Sequence, residues 1–382
     1  MMRLRRAAGS ALIAAAAAAV MLTGCGAADS EPIYIGIAGP VNHENGRSMQ
    51  LAAEMAVDEI NRAGGINGRR LALVIKDDQA RPERAIEVAV ELRDDPRVVA
   101  VVGHVNSAAT LAAATVYNSG TRPVLQISPA SSSPLVTDAG EWTFRVCPSD
   151  LQHGPVLAEW AYDQLGARRA AILYVNDEYG RGVLESFGAA FEQAGGTVIS
   201  RDPYLPALID SDDALDPYLL RAIRDSLDAL FIAGQATEAA TIIRAARRLG
   251  YRGPVLGPDG LTGLKEAGPI AEGTYISSAF LPDRPSTLAQ RFVSEYRERY
   301  DELPDHRGAM TYDAIHLIAR ALAAVGPNRA ALRDYIAGVG NGGSAPYDGV
   351  SGTIAFDENG DVAGKEVAVG VVRNGQLVTA IR

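Results

Sequence analysis

The sequence predicts an α/β protein made of two doubly wound parallel sheets in series, and three observations lead there. From Ile33 onward, short β-branched runs alternate with helical stretches of about 15 residues, the signature of βαβ units. The 382-residue chain exceeds what one hydrophobic core usually fills, so two domains are expected. With 47% apolar residues and only two cysteines, hydrophobic cores rather than disulfides must hold the fold.

The elements follow in order. Residues 33–38 read as the first strand and 46–63 as an amphipathic helix, stopped by Gly64-Gly65, where glycine permits a left-handed cap. Strand 71–76 precedes a helix that Pro82 can open at its first turn. Strand 98–102, helix 107–118 and strand 123–127 complete the first series. The second runs through strand 170–175, helix 180–194, strands 197–204 and 229–233, helix 237–249 and strand 255–257. The acidic, proline-containing stretch 202–217 reads as a long surface loop. In the tail, 275–277 is a strand and 286–300 and 309–325 are helices. Two late strands, 352–356 and 367–372, flank Asp357-Glu358-Asn359-Gly360-Asp361, a turn built on Asn-Gly. That acidic loop lacks the distal glutamate of a calcium site, so no metal is expected.

The N-terminus assigns the compartment. Arg3, Arg5 and Arg6 precede an apolar run over 11–22, too short for a span of about 20 apolar residues. Leu22-Thr23-Gly24-Cys25 resembles the lipobox of bacterial lipoproteins, in which the leader is cut before the cysteine and its sulfur is acylated. Residues 1–24 are therefore expected to be a signal peptide, and 25–32 a flexible tether with Cys25 anchoring the chain outside the bacterial cell membrane. The alternative is an ordinary cleaved signal. An acylated Cys25 leaves Cys147 without a partner, and burial as a small apolar residue is expected there. Formal net charge is −10, and loss of the three leader arginines takes it to −13, which argues against nucleic-acid partners.

Signatures of catalysis are missing. No nucleophile elbow, phosphate-cradling loop or zinc-type spacing occurs, and no two of the five histidines stand at i+3 or i+4. Asp77 and Asp78 are adjacent on a strand and so point to opposite faces; they read as strand-end charges facing solvent. No enzyme, cofactor or metal is expected.

Asn61-Arg62-Ala63-Gly64-Gly65-Ile66-Asn67-Gly68-Arg69 resembles the segment after the first helix in type I periplasmic binding proteins of ABC importers, in the Leu/Ile/Val-binding branch. Lys76-Asp77-Asp78, Val101-Val102-Gly103-His104, Ile127-Ser128-Pro129-Ala130-Ser131, Asp177-Glu178-Tyr179-Gly180, Gly257-Pro258-Asp259-Gly260 and Tyr312-Asp313-Ala314 continue it in order. The resemblance implies two Rossmann-like lobes joined by three crossover segments, with the ligand in the cleft between them. Residues 33–147 plus 275–352 would form one lobe and 148–274 plus 353–382 the other.

Ligands of open α/β sheets bind at strand carboxyl ends. Ser107 follows such a strand, and its hydroxyl and the helix N-terminus suit a carboxylate; alternatively it only caps its helix. By resemblance, Ala130 and Ser132 hold the ligand's ammonium and carboxylate, Asp259 pairs with the ammonium, and Tyr179 closes over the ligand from the second lobe. Asp259 as a turn aspartate and Tyr179 as packing between helix and loop are the plain alternatives. Departures gather in the side-chain pocket. Asn42-His43-Glu44-Asn45 and Gln235 stand where relatives carry aromatics, Arg307 replaces an apolar residue, and Ala80 and Asn106 occupy the places of a cysteine pair. Asn45, Asn106, Gln235 and Arg307 thus join the candidate ligand-binding residues, and a polar amino acid or amide-like solute is expected. The implied partners are an ABC permease with its ATPase, served by a monomer. A ligand-sensing receptor subunit and an exported hydrolase are the alternatives.

Overall fold

In the computed structural model, residues 31–209, 211, 213–362 and 364–381 are described. The expected export leader and Cys25 lie outside the described residues.

Strands β1 (Ile33–Gly39), β2 (Leu71–Asp77), β3 (Val98–Gly103), β4 (Leu125–Ser128) and β5 (Thr143–Arg145) form a parallel sheet in the order β2-β1-β3-β4-β5. All six residues of β3 are buried, as a central strand covered on both faces requires. Helices α1 (Glu44–Arg62), α2 (Pro82–Asp94) and α3 (Ser107–Tyr117) alternate with these strands. Helix α1 buries Met49, Ala52, Ala53, Ala56 and Ile60, a stripe at helical spacing.

The second series comprises α4 (Asp150–Glu159), β6 (Arg169–Val175), α5 (Glu178–Gln193), β7 (Thr197–Tyr204), α6 (Asp216–Arg224), β8 (Ala229–Ala233), α7 (Ala236–Arg248), β9 (Val255–Gly257) and β10 (Tyr275–Ser278). Helices α8 (Thr287–Tyr300), α9 (His306–Val325) and α10 (Arg329–Ala337) follow, then β11 (Tyr347–Gly349), β12 (Gly352–Ile354), β13 (Ala368–Arg373) and β14 (Gln376–Thr379). The second sheet runs β14-β13-β10-β9-β8-β6-β7, antiparallel only at β10/β13 and β13/β14. Helices α8 to α10 return to the first core, where Phe292, Met310, Leu317 and Leu332 pack with Ile35 and Val102. Among the described residues, no helix is long and apolar enough to cross a membrane.

Three expectations need correction. Tyr275 onward was assigned to the first lobe, yet β10 lies inside the second sheet and Ile276 in the second core. Conversely Ile354, Phe356 and Val362 belong to the first core. The chain thus crosses between Cys147 and Leu157, around Ala279, and between Val362 and Val369. The turn at 357–361 forms as expected, with the Gly360 N–H donating to the Asp357 carbonyl at 3.2 Å. Helix α6 starts inside the stretch expected to be loop, with Pro217 in its first turn. Asp78 does not face solvent: it is fully buried with its carboxylate 2.5 Å from His104 Nδ1, and it accepts the Ala80 N–H.

Candidate functional site: a polar cleft between the lobes

The carboxyl ends of both sheets face one another across a narrow cleft. From the first lobe, the loop after β1 brings Asn45, the link from β3 to α3 brings Val105, Asn106 and Ser107, and the loop after β4 brings Ala130. From the second, the turn after β6 brings Asp177 and Tyr179, β8 leads to Gln235, and β9 leads to Asp259 and Gly260. The start of α9 adds His306 and Arg307. The space among these residues is about 20 Å³, room for a water or two. The lobes meet directly at its rim: Thr237 Oγ1 donates to Glu44 Oε1 at 3.1 Å, and Arg307 Nη1 donates to Thr262 Oγ1 at 3.2 Å.

Eight of the nine expected ligand-binding residues therefore line one cavity: Asn45, Asn106, Ser107, Ala130, Tyr179, Gln235, Asp259 and Arg307. The ninth, Ser132, lies just behind it, fully buried, with its hydroxyl beside the Asp150 carboxylate. The reading of Ser107 as its own helix cap fails. Asn106 is the N-cap of α3, and Ser107 Oγ accepts the Ser133 N–H at 3.3 Å. The loop carrying Ala130 and Ser132 is held from several sides. Ser128 Oγ donates to the His104 carbonyl at 2.8 Å, and the Ser131 hydroxyl is 2.6 Å from that of Thr110. Beneath, Arg145 Nη1 donates to the carbonyls of Ser133 at 2.8 Å and Ser132 at 3.2 Å. Arg145 Nη2 reaches Thr137 Oγ1 at 2.8 Å and the Asp361 carboxylate at 2.5 Å.

On the second lobe, Tyr179 donates its hydroxyl to Asp259 Oδ1 at 3.1 Å and accepts the Gly260 N–H at 2.9 Å. It is thus the strut that orients the acid. Gly260 is required there, since an added Cβ would stand 2.4 Å from the Gly234 carbonyl and 2.6 Å from the Tyr179 hydroxyl. Asp177 caps α5 through the Gly180 N–H at 2.8 Å, and its burial raises its pKa. Asp259 itself is 3% exposed. Burial opposes its charge, but His153, His306, Arg307 and the Tyr179 hydrogen bond favour it, and the balance holds its pKa below the usual value.

Sequence reasoning missed His153, His306, Arg145 and Asp150. His153 Nε2 lies 3.8 Å and His306 Nε2 3.6 Å from Asp259 Oδ2. No local spacing announces this meeting; only His306, next to Arg307, carried a hint. Asp150 is fully buried, and desolvation raises its pKa well above normal against the opposing effect of the neighbouring Ser132 hydroxyl. A serine, a histidine and an aspartate do align, since Ser277 Oγ is 2.9 Å from His153 Nδ1. Yet Ser277 is fully buried behind the imidazole and does not line the cleft. It fixes the ring rather than presenting a nucleophile. Among the described residues, no group of histidines, cysteines and acids could hold a metal ion.

Two lobes that aim opposed loops, backbone N–H groups and one anchored carboxylate into a shared cleft define a solute-binding protein of the two-lobed class. The chain belongs to the periplasmic binding protein family, whose profile matches residues 33–376. It is 29% identical to the Leu/Ile/Val-binding protein homolog 1 of Brucella suis, over 86% of this chain and 87% of that one. It is 28% identical to the leucine-, isoleucine-, valine-, threonine- and alanine-binding protein of Pseudomonas aeruginosa, over 92% of each chain. An ABC transporter substrate-binding protein from Desulfitobacterium hafniense, solved in complex with leucine, superposes with a TM-score of 0.79 at 31% identity, covering 92% of this chain and 100% of that one.

Proposed function

We propose that this chain is the extracytoplasmic substrate-binding protein of an ABC transporter, capturing a small amino acid or amide-like solute between its lobes and delivering it to a membrane permease. It catalyses no reaction. The observation that carries the reading is the convergence of Ser107, Ala130, Tyr179 and Asp259 from two separate sheets on one cleft. The Ser107 region and the start of α3 suit a carboxylate, and Asp259 suits an ammonium. Lobe closure would then give the permease a surface distinct from the open form. Cys25 is proposed as the lipid attachment point that keeps a monomer at the membrane.

Asn45, Gln235 and Arg307 line the same cavity, and on this reading they face the ligand's side chain and make its pocket polar. Buried donors and acceptors facing an aliphatic side chain would lose their water without replacement, which favours a polar ligand. A thermal-shift panel of amino acids, amides and small organic acids tests this. A ligand at one hundred times its Kd adds about 2.7 kcal/mol. A shift of several degrees with a polar α-amino acid, lost in Asp259→Ala, supports the reading. Preference for leucine over every polar amino acid would reject the polar pocket, and a response only to organic acids would reject the ammonium anchor.

A further inference from the structure

Two imidazoles converge on one carboxylate oxygen from opposite lobes. His153 rises from α4 of the second lobe and His306 opens α9 of the first; their Nε2 atoms stand 3.8 and 3.6 Å from Asp259 Oδ2. Each ring is fixed from behind by a hydroxyl. Ser277 Oγ is 2.9 Å from His153 Nδ1, and Thr262 Oγ1 is 3.3 Å from His306 Nδ1. Both rings therefore direct the same edge at the acid, and both are essentially without solvent exposure. We propose that His153 and His306 are proton-binding members of the ligand site, whose imidazolium forms compete with a cationic ligand group for Asp259, so that acid weakens binding and ligand capture expels protons. This rests on the reading of Asp259 as the anchor of an ammonium.

Every charged neighbour bears on the competition. From α4, Asp150 faces the cluster with a raised pKa, which favours its neutral form. From the crossover, Arg145 disfavours imidazolium at His153, though its own charge is paired with Asp361. Cys147 is buried beside them and its pKa is raised. From α5, Tyr179 is a hydrogen-bond donor whose ionisation is suppressed, and burial raises the pKa of Asp177 before it. From α9, Arg307 opposes imidazolium at His306, while Asp305, held at about 2, keeps that arginine paired. Burial lowers the pKa of both rings, that of His306 to about 4. With the lobes together at neutral pH, Asp259 is thus left free of imidazolium for an incoming cation. In an opened cleft, water restores the rings toward the ordinary histidine value of about 6.5. The free protein then holds protons that the closed complex cannot, and linkage makes affinity fall as pH falls.

The test is calorimetric binding of L-leucine, L-threonine and L-glutamine at about pH 7.5 and about pH 5.5, a window in which an α-amino acid keeps its carboxylate and ammonium charges. For any of these that binds, Kd should rise at least about tenfold at the lower pH. In His153→Gln and His306→Gln the ratio of the two Kd values should shrink, most of all in the double variant. A pH-independent Kd in the wild-type protein, or an unchanged ratio in both variants, would overturn the proposal. A ligand-free readout separates it from the amino-acid reading. In nitrogen-15 histidine NMR titrations, Asp259→Asn should lower the apparent pKa of both imidazoles. If no amino acid binds at either pH, the amino-acid reading fails. The proton cluster then stands or falls on that shift: rings that titrate identically in the wild type and Asp259→Asn would sink it.

Discussion

Arg145 is 1% exposed, and its guanidinium joins two parts of the chain that lie far apart in sequence. It holds the carbonyls of the loop at Ser132 and Ser133 and pairs with Asp361 ahead of the last crossover. Arg145→Met would keep much of the bulk while leaving those carbonyls without their donor and Asp361 with the Thr137 hydroxyl but no counter-charge. Breaking one partner of a buried pair costs about 3–5 kcal/mol, so the urea midpoint should fall sharply, and ligand affinity with it. Lys, which cannot span the same fork of acceptors, should rescue only part of the loss. Residues such as Ser107 and Asp259 were legible in the sequence because each follows its own strand in a local turn. Arg145 and His153 were not, since their partners come from residues 361, 259 and 277, and only the finished fold sets those distances.

At the scale of elements, the turn after β9 carries the anchor of the site. Gly260→Ala would drive a methyl group into the Gly234 carbonyl and the Tyr179 hydroxyl. Overpacking of this kind costs about 1–3 kcal/mol. The expected result is a lower melting temperature together with loss of the thermal shift given by ligand, because Asp259 and its tyrosine strut move as one. Far-UV circular dichroism should stay native. The alternating elements themselves were readable because βαβ periodicity survives in the sequence. Helix α4 escaped notice because Pro155 interrupts its pattern, although the Ser149-Gln152 capping box was the signal that could have found it. Strand β10 was read correctly as a strand and placed in the wrong lobe, since strand patterning identifies a strand without naming its neighbours.

Across the whole molecule, a second buried polar cluster ties the last crossover to α9. Lys365 Nζ donates to Ser351 Oγ at 2.7 Å, and Ser351 Oγ donates to Asp313 Oδ2 at 2.5 Å. Burial lowers the lysine to about 8, against the attraction of Asp313. The folded state therefore holds this proton less tightly than the unfolded chain. The cost of the buried ammonium is fully present below about pH 8 and is relieved as pH rises toward the ordinary lysine value. In Lys365→Met, that upward contribution to stability between about pH 8 and 10 should vanish from pH-resolved denaturation curves. An identical pH dependence in both proteins would show that the lysine is solvated.

The position of β10 has a consequence for the order in which the chain can be assembled. The strand sits inside the second sheet, but its outer neighbours β13 and β14 are translated after α8, α9 and α10, which cover the first. Each lobe waits for the chain's last third: the first for Val362, the second for Thr379. A chain still emerging from a ribosome or a translocation pore has no finished core to jam its passage, and its long-range strand pairings delay folding further. The two lobes come of age together, once their late segments have been made.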